Sequence, residues 1–309
     1  MSSEFSTTVH GKWIVAGEHS VLRGFPALAF PVYGKSLTLR WTDSETFSPH
    51  FAGERGAEFQ LLFAGVFDRS LELLGRGRDL SLRRGIFSVE SSLPVGAGLG
   101  ASAALSVAVG RWFVFRGAIE ESDLFDFCRN LEDMFHGESS GVDVAVAIEN
   151  RGLRFERGGP VEKRMQGFDP SWQPLWYISY SGSRGITSEC VSKVKAWLAL
   201  EPNEGLKTDQ KMSLAVKKAE QSLRALAENE FRIEERFENL RAAINEAGEC
   251  FATWGLSDGS MGSHLEWLTS QGAVAVKPTG SGGGGYALSL WRHRPQPEIE
   301  SQLIPVFKV

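Results

Sequence analysis

Three glycines alternate in Pro94-Val95-Gly96-Ala97-Gly98-Leu99-Gly100-Ala101-Ser102, a spacing suited to holding an anion. Without Cβ atoms the backbone turns sharply and brings its N–H groups close to a ligand. The helix predicted from Ala101 onward points its positive end and unpaired N–H groups at the same place, so the segment reads as a phosphate cradle. By itself it also reads as a tight strand-to-helix turn. Of two related patterns, one fails and the other leaves a dinucleotide-dependent dehydrogenase as a distant alternative. Gly34-Lys35-Ser36 resembles the end of a Walker A loop, but Ala29 stands where the first glycine belongs and the strand-like SLTLRW follows. Gly96, Gly98 and Ala101 fit a looser dinucleotide pattern with Glu120 as the ribose acid, yet the preceding FSVESSLP is interrupted by polar residues and ends in proline.

A second segment runs from Glu132 through His136-Gly-Glu-Ser-Ser-Gly141-Val-Asp143. Magnesium takes hard oxygen ligands and keeps several waters, so one carboxylate, one hydroxyl and phosphate oxygens suffice. Glu132 and Ser102 are the candidates, and Asp143 is a second acid beyond a small polar loop. Two such acids also serve as a solvated helix end and a helix cap. His136-Gly-Glu138 matches half of a zinc-deaminase signature, but no PCxxC follows, so zinc is unsupported. The third segment, Lys277-Pro-Thr279-Gly280-Ser281-Gly282-Gly283-Gly284-Gly285, lies between two predicted strands. A hairpin needs one or two glycines, so the excess implies a close backbone approach or a mobile lid.

The elements that must position these segments follow from hydrophobic spacing. Short strands are expected at 13–16, 27–32 and 36–41, a helix at 58–75, and paired strands over 80–91. Ala101, Ala104, Leu105, Ala108, Val109, Trp112 and Phe113 recur at helical spacing, and a second helix fits 121–135. After a mixed stretch come a strand at 175–180, helices over 186–199 and 208–253 (the latter broken near 228–231), and strands at 272–276 and 286–291. At 309 residues the chain exceeds one ordinary core, and a soft boundary near 165 divides it into 1–165 and 166–309. A hydrophobic share of 42% with 23% charge excludes a disordered chain, and a net charge of −5 without a basic stripe argues against nucleic acid. Cys128, Cys190 and Cys250 form no CxxC pair, so neither a disulfide framework nor a thiolate metal site is expected. The start lacks a signal-like apolar run and no stretch reaches ~20 apolar residues, so a cytoplasmic protein with no membrane partner is expected.

Taken in order, the three segments resemble the three motifs of the GHMP kinases, with anchors from residue 11 to 285. The opening GKWIVAGEHSVLRGFPAL at 11–28 is similar to the GKxxxxGEHxVxxGxPAL of the family's mevalonate-phosphorylating members, and HGESSGVD at 136–143 resembles their HGxPSGxD. YSGSRGITSECV at 180–191 is a weaker echo of the segment that carries a substrate-side threonine. The resemblance implies an α/β (α+β) fold of two domains, the second ferredoxin-like, with the active site in the cleft between them. It implies transfer of a phosphoryl group from ATP, with Mg2+, to the 5-hydroxyl of mevalonate, by a monomer or homodimer; the alternatives are a family kinase for another small alcohol (a sugar or isoprenoid precursor) and a non-catalytic ligand-binding relative. By matching position, Asp143 would be the catalytic aspartate, and Lys12 beside it would balance its charge and that of the transferring phosphoryl. Ser102 and Glu132 would hold magnesium, Pro94, Gly96, Ala97, Gly98, Leu99, Gly100, Ala101 and Ser102 would wrap the nucleotide phosphates, and Glu18, His19, Thr187 and Gly282 would serve the acceptor. Ala101, Ser139, Val144, Ser281 and Tyr286 depart from the residues that the family usually has at those positions.

Overall fold

The computed structural model describes residues 4–77, 79–158, 172–224 and 233–306. The expected boundary near 165 and the expected helix break near 228–231 lie outside the described residues. By packing, the chain forms two compact units, each drawn from separated stretches. The first comprises Met1–Lys12, Lys35–Val95 and Leu99–Asn150; the second comprises Trp13–Gly34, Gly96–Gly98 and Arg151–Val309.

A sheet of order β1-β2-β4-β3 is built from β1 (Glu4–Ala16), β2 (Ala27–Thr42), β3 (Phe47–Ala52) and β4 (Gly85–Ser91), and the first unit holds β3, β4, the part of β1 up to Lys12 and the part of β2 from Lys35. Strand β4 runs antiparallel to β2, with Leu37 opposite Ser91 and Thr42 opposite Ile86, and parallel to β3. Its period-two pattern buries Phe87 and Val89 and leaves Ile86 exposed. Helices α1 (Gln60–Leu73), α2 (Ala101–Phe115), α3 (Leu124–His136) and α4 (Val142–Glu149) complete the unit, and α2 packs against the other three. Phe63, Phe67, Phe87, Trp112 and Phe113 form its aromatic core, with ring centroids 4.9–5.7 Å apart. Gly110 lets α3 approach closely, because a Cβ there would lie 2.7 Å from Cys128 Sγ.

The paired strands expected over 80–91 reduce to one. The Asp79 carboxylate accepts from the Ser81 N–H at 2.9 Å and from its hydroxyl at 2.6 Å, and Arg83 N donates to Leu80 O, so 79–83 is a turn. Helix α4 was not expected. Its six apolar side chains surround an eight-residue helix, so no amphipathic period marks it.

In the second unit an antiparallel sheet of order β7-β8-β6-β9 uses β6 (Leu175–Tyr180), β7 (Ala273–Thr279), β8 (Tyr286–Trp291) and β9 (Ile304–Pro305). The start of β2 also pairs with β5 (Leu153–Phe155), Ala27 opposite Phe155. Around these lie α5 (Thr187–Leu200), α6 (Pro202–Leu223), α7 (Ile233–Thr253), α8 (Gly259–Ser270) and α9 (Pro297–Glu300). α6 and α7 lie along each other, and α7 and α8 cover β7. Helix α6 begins earlier than the expected 208, at the N1 proline Pro202, whose missing N–H costs nothing there. Tyr177, Met261, Leu268, Ala287, Trp291 and Leu303 form the core beside the sheet. No helix among the described residues is long and apolar enough to cross a membrane.

Candidate active site

Lys12 lies near the centre of the first unit's chemistry. It is 5% exposed in β1, and its main-chain N–H donates to Leu99 O at 3.0 Å, which ties the strand to the glycine loop. Gly11 beside it tolerates no side chain, since a Cβ would meet Leu93 Cδ2 at 2.5 Å and Leu99 O at 2.8 Å. Asp143 is the second residue of α4. The chain enters that helix through Gly141 (φ 87°), after Ser139 N donates to Asp133 Oδ1 and the Ser140 hydroxyl accepts from Val142 N. These contacts bring Asp143 Oδ2 to 3.1 Å from Lys12 Nζ. Asp143 keeps a quarter of its side chain exposed, so the pair is clamped on the lysine side and accessible on the acid side.

Ser102 lies in the first turn of α2, which starts from Gly100 in the left-handed conformation (φ 72°, ψ 34°) with no side-chain cap. Its hydroxyl donates to Glu132 Oε2 at 3.0 Å, and the Ser106 hydroxyl, one turn on, donates to Glu132 Oε1 at 3.2 Å. Glu132 is 1% exposed. This donor set, a buried carboxylate and a hydroxyl, is all oxygen and fits magnesium that completes its shell from phosphate and water. Among the described residues no group of three or more His, Cys, Asp or Glu side chains could hold an ion alone, so such a metal would depend on its phosphate ligand. Ser106 was not singled out from the sequence; its position four residues after Ser102, on the same helix face, was the available signal.

Within the loop, Gly96, Gly98 and Gly100 all have positive φ, while Ala97, Leu99 and Ala101 between and after them are buried. Pro94 is buried, and Val95 N already donates to Glu58 Oε2 at 3.1 Å, so that amide is committed to a carboxylate.

In the second unit His19 and Thr187 meet the third glycine segment at Ser281, and Glu18 meets Lys277 at its start. His19 Nε2 donates to Ser281 O at 2.8 Å, and the Thr187 hydroxyl donates to Ser281 Oγ at 3.3 Å. The His19 ring packs edge-on to Phe251 and Trp254. Burial holds its pKa down to about 4, with the hydrogen bond to Ser281 opposing and the Arg23 guanidinium adding to the shift, so the imidazole is neutral. Glu18 is paired with Lys277 Nζ at 2.5 Å, and both side chains are inaccessible. Gly282 packs against Phe251, which a Cβ would meet at 2.9 Å, and its carbonyl accepts from the Cys190 thiol at 3.2 Å.

Of the two readings of the glycine excess, close backbone approach is the one found. A Cβ on Gly280 would lie 3.0 Å from Gly98 O, one on Gly285 would lie 2.5 Å from Ala97 O, and one on Gly284 would lie 2.8 Å from Gly185 N. Lys277 was missed as a functional candidate. The signal was its phase: Ala275, Lys277 and Thr279 alternate along β7 on one buried face.

Residues 63–151 match the family model described as the GHMP kinases N terminal domain. The chain is 27% identical to a mevalonate kinase of Thermococcus sibiricus, over 96% of this chain and 91% of that one. It is 28% identical to a mevalonate kinase of Pyrococcus horikoshii, over 92% and 88% respectively. Its fold matches that of L. major mevalonate kinase, solved in complex with R-mevalonate, with a TM-score of 0.72 and 17% identity across 98% of this chain and 91% of that one. Residues 63–151 thus resemble the N-terminal domain of the GHMP kinases, and relatives named mevalonate kinase align along nearly the whole of this chain.

Proposed function

We propose that the protein phosphorylates the 5-hydroxyl of mevalonate with ATP, releasing 5-phosphomevalonate and ADP. The observation that carries this reading is the Lys12–Asp143 pair, held at 3.1 Å at the start of α4. Phosphoryl transfer passes through a loose transition state, so positioning and charge neutralisation do most of the work. The acceptor oxygen forms a bond to the γ-phosphorus as the bond to the β–γ bridging oxygen breaks, and the hydroxyl proton passes to Asp143. Lys12 offsets the charge gathering on the transferring group. The amides of the loop from Gly96 to Ser102 hold the phosphates, and Ser102 with Glu132 would hold Mg2+, which supplies charge neutralisation of the β- and γ-oxygens. Thr187 serves the acceptor from a partly exposed position, while Glu18, His19 and Gly282, all buried, serve it by shaping the wall behind. His19, as a neutral Nε2–H donor already engaged by Ser281, orients rather than titrates.

The relatives named mevalonate kinase, which span nearly the full chain, support this choice of acceptor. Three buried, unpaired cysteines fit a reducing cytoplasmic setting. The test is ATP consumption with magnesium against mevalonate, phosphomevalonate, galactose and homoserine. Mevalonate is expected to be turned over, and Asp143→Asn to lower kcat by about 10²–10⁴. Turnover confined to another alcohol would remove the substrate assignment and leave the kinase assignment standing.

A further inference from the structure

Lys277 is a fully buried lysine that the phosphoryl-transfer chemistry above does not use. Its ammonium donates to Glu18 Oε1 at 2.5 Å and to Ile14 O at 3.3 Å, and it lies 5.1 Å from the centroid of the Phe251 ring. Two residues on, the Thr279 hydroxyl accepts from Ile14 N at 2.9 Å and lies 3.2 Å from Ile14 O. One face of β7 therefore grips the main chain of Ile14, four residues before Glu18. Glu18 and His19 are adjacent, and His19 stands at a left-handed φ of 57°, a conformation that a side-chain-bearing residue keeps only when its surroundings enforce it. Lys277 touches both enforcing surfaces, the Glu18 carboxylate on one side and, on the other, the Phe251 ring that His19 packs against. Burying an ion pair is seldom the cheapest way to stabilise a fold, so its presence here calls for a positional reason.

We infer that Lys277 is a positioning residue for acceptor binding, which acts through Glu18 and Phe251 to hold the His19 imidazole against Ser281. The inference rests on the mevalonate assignment above for its kinetic part only. Removing the ammonium frees the 17–20 turn to relax its positive φ, and the His19–Ser281 hydrogen bond, whose direction that turn sets, breaks first. Magnesium and the first unit's Lys12–Asp143 pair make no use of Lys277, so the effect falls on the acceptor and spares ATP.

The test uses Lys277→Met, which keeps the length of the alkyl chain and removes the charge. The expected result is a KM for mevalonate raised about tenfold or more, because the acceptor-side groups are no longer oriented, with the KM for ATP changed less than about threefold. The second readout is the His19 tautomer, measured by nitrogen NMR on the ligand-free protein. The parent should show the Nε2–H form and Lys277→Met a mixture. Equal changes in both KM values, or an unchanged mevalonate KM with the His19 tautomer intact, would overturn the inference. Should Lys277→Met fail to fold, Phe251→Leu loosens the same wall without stranding a charge and is read by the same two measurements. A parent enzyme inactive on mevalonate refutes the substrate assignment alone, because the tautomer still tests what Lys277 positions.

Discussion

A methyl group placed on Gly100 should uncouple Lys12 from Asp143 without touching either residue's chemistry. Gly100 has φ 72° and ψ 34°, so alanine there takes a left-handed conformation at a cost of about 1–2 kcal/mol. The added Cβ would lie 2.8 Å from Lys12 Cγ, 3.4 Å from its Cε and 3.7 Å from Asp143 Oδ2. An ordinary contact begins near 3.4 Å, so the lysine stem must retreat by roughly half an ångström. Lys12 is 5% exposed and has little room to do so except by lengthening its 3.1 Å contact with Asp143. Since a misplacement of about 1 Å near reacting groups can cost about 10²-fold, a shift of half that size should lower kcat roughly tenfold. Gly100→Ala is thus expected to lose a few degrees of thermal stability, at about 2–4 °C per kcal/mol, and about a tenfold factor in kcat. The assay is steady-state turnover at saturating ATP and mevalonate beside a thermal melt, with nucleotide titration to separate weakened binding from impaired chemistry. A variant with parental kcat and melting temperature would show that the methyl fits, and the tight Lys12–Asp143–Gly100 arrangement would be refuted.

Glu132→Gln keeps the shape of the buried carboxylate and removes its charge. The Mg2+ concentration for half-maximal rate should rise roughly tenfold or more, and an unchanged magnesium dependence would take Glu132 out of the metal's shell. His19 gives a pH signature. Burial lowers its pKa from 6.5 to about 4, so below pH 6.5 the unfolded chain binds a proton that the folded chain refuses. Stability should therefore fall as pH drops from 6.5 toward 4, by about 3 kcal/mol in all, and urea midpoints for His19→Gln should show a flatter limb over that window.

The parts of the site that were legible in the sequence are those carried by short runs. The loop at 94–102 announced itself by glycine spacing, and Glu132 and Asp143 stood out as acids on either side of a polar turn. Long helices such as α2 were equally plain, since their apolar positions repeat over several turns. What escaped depends on partners distant in sequence. Strand β1 runs back to Glu4 because β2 pairs with it, and each unit draws on separated stretches of the chain. Lys277 reads as an ordinary charge before a proline until Glu18, some 260 residues away, is placed against it. Ser106 is one small residue on a helix face until Glu132 from α3 reaches it.

The glycines of the third segment illustrate how one composition carries two physical readings until its neighbours are known. A glycine run suggests freedom, yet Gly280, Gly282, Gly284 and Gly285 are all buried. Each is approached by atoms that forbid a side chain: Gly98 O beside Gly280, Phe251 beside Gly282, Gly185 N beside Gly284 and Ala97 O beside Gly285. Three of these four neighbours are main chain, and main chain cannot move aside as a flexible side chain can. The residues are glycine because backbone meets backbone, and the outcome is rigidity rather than a lid. That rigidity reaches the chemistry in two ways. It fixes Gly96–Gly98 of the phosphate loop against Thr279 and Gly280, and it fixes Ser281, whose carbonyl sets the direction of His19. One stretch of interlocked main chain thus bears on both the donor loop and the acceptor side chain, which is why glycine is required there and flexibility is not.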